Sequence, residues 1–260
     1  MTGSSRSAIT SRRARGFTLT ELAMVLLIVG LLLGSLMYTL SAQVDTRGFS
    51  DTERRLDEAR ELLLAFAVVN GRLPCPAIDT GVPPSSAEAI AAAAGSGSGG
   101  TCTATYNGYL PAATIGFKVT DSDGFALDAW GKRIRYAVSR TPAGFFTGDV
   151  MLKAGWTGTT PTDLDMCKRL TAANGASCAS AADRLVTQNT VVAVIWSPGK
   201  NFPNAGAVSI NEGTNLDTAA AFVSRRPSPP GAVDGEFDDQ VTWITVGELY
   251  GRLISAAKLP

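Results

Sequence analysis

Apolar and polar residues along the chain fall into three regimes. From Leu22 to Leu40, LAMVLLIVGLLLGSLMYTL, no residue is charged. At 1.5 Å per residue such a helix spans the ~30 Å hydrocarbon core of a bilayer. Beyond it, Phe49, Thr52, Leu56, Ala59, Leu63 and Phe66 recur at three- and four-residue spacing, with Glu53, Arg54, Arg55, Asp57, Glu58 and Arg60 on the other faces. This is the amphipathic helical period. Asn70-Gly71 and then Pro74 form a stop signal. One helix from Phe17 to about Val69, ~80 Å long, is therefore expected.

After Gly71 the period changes. Lys132–Ser139 and Gln240–Val246 alternate as half-buried strands do, and Val191–Trp196 is a continuous apolar run suited to a central strand. Ala207–Ile210 reads as an edge strand and Gly247–Leu259 as a short closing helix. Ala87–Gly100, AEAIAAAAGSGSGG, reads as a short alanine-rich helix followed by a Gly/Ser loop, and Asp163–Gly175 as a segment containing a short helix near Cys167. A long helix followed by antiparallel strands gives an α+β fold.

Charge adds direction. Lys+Arg and Asp+Glu each total 23. Four of the basic residues (Arg6, Arg12, Arg13, Arg15) fall in the first 16, where there is no acid. The remainder is net acidic, so no basic stripe for nucleic acid is expected. Arginines before the apolar run favour a cytoplasmic N-terminus and place the C-terminal bulk across the membrane. Histidine is absent, which excludes Ser-His-Asp and Cys-His catalysis and histidine-ligated metals. No nucleophile motif appears, and no enzyme is expected. Cys75, Cys102, Cys167 and Cys178 form no CxxC pair; after export they would form disulfides. Cys75–Cys102 with Cys167–Cys178 is the sequence-local pairing, and the other two connectivities stay open.

One residue is out of place. Glu21 precedes the apolar run directly, where a carboxylate costs roughly 2.5–3.5 kcal/mol on membrane-insertion scales. A cleavable secretory signal or a plain signal anchor explains neither Glu21 nor the glycine before Phe17. A glutamate snorkelling at the membrane edge is the simpler account of the acid alone. The set Gly16-Phe17-Thr18-Leu19-Thr20-Glu21, behind a basic leader and before an apolar run, resembles the class III signal of type IV pilins and type II secretion pseudopilins. The resemblance implies that an inner-membrane prepilin peptidase cuts between Gly16 and Phe17 and N-methylates Phe17. Residues 1–16 are then a discarded leader, 17–70 a stem helix with a transmembrane segment at about 22–40, and 71–260 a periplasmic head. It also implies that Glu21 pairs with the N-terminal ammonium of a neighbouring subunit in the filament, which offsets the cost of burying it. The implied partners are the peptidase, other pilins or pseudopilins and an inner-membrane assembly platform.

Two head segments resemble those of major pseudopilins. Asp128-Ala129-Trp130-Gly131-Lys132 with Tyr136 is similar to an Asp-Pro-Trp-Gly strand start, with Ala129 in place of the proline. Ser197-Pro198-Gly199-Lys200-Asn201 and Asp238-Asp239-Gln240-Val241-Thr242-Trp243 are similar to loops that hold a structural calcium. Glu236, Asp238, Asp239 and Asn201 are the candidate ligands for that ion, against the alternative of an exposed acidic turn. Asp121-Ser122-Asp123-Gly124 lacks the terminal glutamate of a calcium loop, since Lys132 stands there, and reads as an ordinary turn. Arg225–Gly231, RRPSPPG, reads as a proline-rich surface loop. The leading expectation is a minor pilin or pseudopilin, because the chain is long for an abundant filament subunit. An adhesin or DNA-uptake head on a pilin stem is the alternative, and a membrane-anchored periplasmic enzyme comes after that.

Overall fold

The computed structural model describes residues 16–81, 86–93, 100–140, 145–148, 162–170, 178, 180–202 and 209–259, without the side chains of 35–42 and 92–93. The chain divides into two units, residues 1–47 and 48–260. Helix α1, Leu19–Asn70, contributes to both.

In the first unit, α1 carries apolar side chains on every face. Leu22, Leu27, Leu31 and Leu33 are all more than half exposed. The expected transmembrane segment at about 22–40 runs onto residues 35–40, whose side chains lie outside the described set. Among the described residues, no helix is long and apolar enough to cross a membrane. The leader lies outside the described residues up to Arg15.

In the second unit, the amphipathic half of α1 buries Thr52, Leu56, Ala59 and Leu63 of the expected stripe together with Leu64 and Ala67, while Phe49 and Phe66 are half-buried. The helix ends where Gly71 turns left-handed at φ 72°, its N–H bonding to the Ala67 carbonyl at 2.8 Å. A residue without Cβ adopts that conformation at no steric cost.

The main sheet is antiparallel, in the order β3 (Gly108–Tyr109), β4 (Arg135–Val138), β6 (Val191–Ser197), β8 (Gln240–Thr245). Tyr136 pairs with Ile195, and Val194 with Trp243. One face, through Tyr136, Val138, Ile195 and Ile244, packs on the α1 stripe and on Leu249 and Leu253 of α4 (Val246–Ser255). The other face, through Ala137, Val194 and Trp196, packs on Met166 and Phe222. These belong to a parallel pair, β5 (Asp165–Cys167) with β7 (Ala221–Val223). Strand β6 is thus covered on both faces and all seven residues are buried, which is why it reads as an unbroken apolar run. The small elements are β1 (Ile90–Ala93) with β2 (Gly100–Cys102), α2 (Ala112–Ile115) and α3 (Ile210–Asn215).

Three expectations are corrected. Within Ala87–Gly100, residues 90–93 are strand β1, not helix, and 94–99 lie outside the described residues. The alanines are overruled by their surroundings. Glu88 is held by Arg72 at 2.6 Å and by the Cys75 N–H, and the Cys75–Cys102 disulfide brings β2 alongside. Around Cys167 the chain is strand β5, because it pairs with β7; residues 171–175 lie outside the described set. In the expected edge strand Ala207–Ile210, Ser209 caps α3 and Ile210 begins it; 207 and 208 are outside the description. The head is therefore not purely antiparallel, since β5 and β7 run parallel.

Candidate functional site

The N-terminal segment begins with Gly16 and Phe17 ahead of α1, both exposed, Phe17 at 82%. A Cβ built on Gly16 would meet nothing within 4 Å, so the fold itself does not require glycine there. Thr18 caps the helix. Its Oγ1 accepts from the Glu21 N–H at 3.3 Å, while a Glu21 carboxylate oxygen accepts from the Thr18 N–H at 3.4 Å and the Thr18 hydroxyl at 3.3 Å. This is a reciprocal capping box, in which two otherwise orphaned donors are satisfied. The carboxylate also lies at the positive end of the helix dipole. Thr18-x-x-Glu21 was legible as a cap signature and gives Glu21 a role within its own chain. A cut between Gly16 and Phe17 falls one residue ahead of the cap and leaves it whole.

A second cluster forms at the end of the main sheet where β6 finishes and β8 begins. Carboxylate oxygens of Glu212, Asp238 and Asp239 lie within 4.8 Å of one another. Asp238 and Asp239 immediately precede β8. Glu212 comes from α3, where it completes a capping box with Ser209. Glu212 also accepts from the Asp238 N–H at 3.0 Å and the Asn201 side-chain amide at 3.4 Å. Asp238 accepts from the Asn201 backbone N–H at 3.0 Å, while its other oxygen, Oδ1, is buried with no hydrogen-bond partner among the described residues. Gly199 makes room for it. At φ +73°, a Cβ there would stand 2.0 Å from Asp238 Oδ1.

Burial raises the pKa of all three acids, that of Asp239 well above the usual carboxylate range. Mutual repulsion among them adds to the shift. Of the expected ligands, Asp238, Asp239 and Asn201 are brought together. Glu236 is not part of the cluster, and Glu212, which belongs to neither loop motif, takes its place. Its signal was Ser209-x-x-Glu212, a cap signature that begins inside the expected edge strand and runs past it. Three carboxylates, one of them with a buried oxygen unsatisfied among the described residues, fit a hard, oxygen-seeking cation such as calcium, which needs six to eight oxygens in all.

The remaining motifs resolve as architecture. Asp121 Oδ1 accepts from the Asp123 and Phe125 N–H groups, and Arg133 contacts Asp79, Asp121 and Asp123 at 2.7 Å each, so the turn already holds a cation. Asp128 is buried and accepts from the N–H groups of Trp130 and Lys132 and from the Ser197 hydroxyl. Burial raises its pKa as well. Its turn seats Trp130 against Gly48, where a Cβ would come within 2.8 Å of the indole nitrogen. Disulfides join Cys75 to Cys102 and Cys167 to Cys178, the sequence-local pairing. In the proline-rich loop, Arg225 stacks 4.7 Å from the Phe237 ring centroid and donates to the Asp234 and Gly235 carbonyls.

Residues 11–37 match the family model for the prokaryotic N-terminal methylation motif, the prepilin-type signal of type IV pilins and pseudopilins. No curated protein and no solved structure matches the chain significantly. The N-terminal signal is therefore of prepilin type, while the head has no template among these comparisons.

Proposed function

We propose that the chain is the precursor of a structural filament subunit, a minor pilin of a type IV pilus or a pseudopilin of a type II secretion system. The observation carrying this reading is the conjunction at the N-terminus. A prepilin-type signal runs into an intact helix cap, and from Leu22 to Gly34 the helix behind it is apolar on every face. Prepilin peptidase removes residues 1–16 on the cytoplasmic side and methylates Phe17. The apolar half of α1 holds the protein in the inner membrane, with the head in the periplasm, where the two disulfides form. An assembly platform then lifts the stem out of the bilayer. Stems bundle, and Glu21 exchanges its own Thr18 contacts for the ammonium of a neighbour. The subunit acts by packing and not by catalysis.

In the head, Glu212, Asp238 and Asp239, with Asn201 beside them, are the residues that would hold a structural calcium. Such an ion would supply the positive charge that three clustered carboxylates lack. Calcium titration should raise the melting temperature of the wild-type head and leave Asp238→Ala unmoved; equal responses would refute the site.

The function is tested in a host with its peptidase and assembly machinery. Gly16→Ala should leave the leader attached and remove the protein from the sheared filament fraction. Glu21→Ala should be cleaved but incorporated poorly. Normal incorporation of an uncleaved Gly16→Ala chain would overturn the reading.

A further inference from the structure

Beside the second half of α1, within the second unit, lies a groove of about 410 Å³. Phe49, Leu56, Pro227 and Val241 give it apolar walls, and Glu53 and Asp57, one helical turn apart, give it an acidic rim. Neither acid has an ion pair or side-chain hydrogen bond among the described residues. Arg225, the groove's basic residue, is engaged with the Asp234 and Gly235 carbonyls and the Phe237 ring. The groove therefore presents two uncompensated rim carboxylates beside apolar walls that Ser224, Asp239, Gln240 and Thr242 interrupt. Its complement is an apolar side chain next to a cation.

The chain offers that complement itself. Val44 is 65% exposed, Arg47 is exposed, and they stand three residues apart on one face of α1. Arg47 likewise has no side-chain partner among the described residues. We propose that the groove receives the Val44–Arg47 face of a second copy of this chain, with Arg47 of the neighbour meeting Glu53 and Asp57. This rests on the filament-subunit reading and adds a register to it. For parallel stems, setting the neighbour's Arg47 level with Glu53 shifts it toward the head by six residues, about 9 Å. Setting the neighbour's Phe17 ammonium level with Glu21 shifts it in the same direction by four residues, about 6 Å. The arginine side chain is long and flexible enough to absorb the difference of about 3 Å. One axial displacement thus satisfies both charge pairs. The first sets the register at the start of the stem, and the second locks it beside the head.

The test uses disulfide trapping. All four native cysteines are paired, so added thiols report without background. Two differently tagged full-length copies, one Arg47→Cys and one Glu53→Cys, are co-expressed in the assembling host, and membranes are treated with copper phenanthroline. The expected result is a mixed-tag dimer, at least tenfold stronger than from Arg47→Cys with Glu58→Cys, a nearby exposed site on another helix face. Arg47→Glu should lower incorporation severalfold, and the double change Glu53→Arg with Asp57→Arg in the partner copy should restore it. Equal trapping at 58, dominant Arg47→Cys homodimers, or trapping only to a different protein would overturn the proposal. N-terminal sequencing of the same bands separates the failures. A processed chain without the 47–53 link sinks only the register, whereas a retained leader sinks the subunit reading and the register with it.

Discussion

One helix carries two surfaces. From Leu22 to Gly34, α1 is apolar around its whole circumference and its side chains stand exposed. From Gly48 to Ala67 it buries one stripe and leaves charges on the rest. The second half is a helix completed by its own chain. The first stands exposed on every face among the described residues, and leucines in every direction call for lipid or other helices and not for a single sheet. The difference teaches that the two halves answer to different surroundings. The head's stability should depend on the second half and be indifferent to the first.

The largest effect should come from substitutions that test this division directly. Leu63 is fully buried and Leu27 is 63% exposed. In thermal or denaturant unfolding of the processed protein in detergent, Leu63→Ala should cost the head roughly 2–5 kcal/mol through transfer and cavity effects. Leu27→Ala should stay within about 0.5 kcal/mol. Comparable losses would mean that the halves are not separate.

A smaller effect is expected where β6 ends and β8 begins. Gly199→Ala introduces both a disfavoured φ of +73° and a contact with Asp238 Oδ1. A loss of about 1–2 kcal/mol in the same unfolding assay is expected, with no change in leader cleavage. Loss of cleavage would tie the head to the processing site.

The smallest and most specific effect is a pH slope. Asp239 has a raised pKa in the folded head, so the native state holds its proton more tightly than the unfolded chain does. Its contribution is fully present below the ordinary value of 3.8 and is lost as pH rises through the raised folded value. Asp79 and Asp183 are shifted downward by hydrogen bonds to Gly81 and Ser180 and work in the opposite sense. The informative quantity is therefore the difference between variants. Without added cation, wild type should lose more stability than Asp239→Asn as pH rises from about 4 toward neutrality. Parallel curves would show that Asp239 is not raised by its burial.

The comparison also explains what could be read from sequence. Helix α1, strands β4, β6 and β8 and helix α4 were legible because each carries its own period or run. The cleavage signal was legible because it is contiguous. Strand β5 was not, since Asp165–Cys167 becomes a strand only by pairing with Ala221–Val223, far away in the chain. The alanines of β1 favour helix locally and yield to the Arg72–Glu88 pair and the Cys75–Cys102 disulfide. The acidic cluster was half legible. Asp238 and Asp239 are adjacent in sequence, but Glu212 reaches them through a capped turn, and the nearer Glu236 does not.

The central claim is that this chain is cut and modified at Phe17, and the mass of its N-terminal peptide tests it most directly. Protein recovered from its own membranes and digested should yield a first peptide that begins at Phe17 and carries one additional methyl group. Recovery of peptides from residues 1–16 still joined to Phe17, beside an active peptidase, would contradict it.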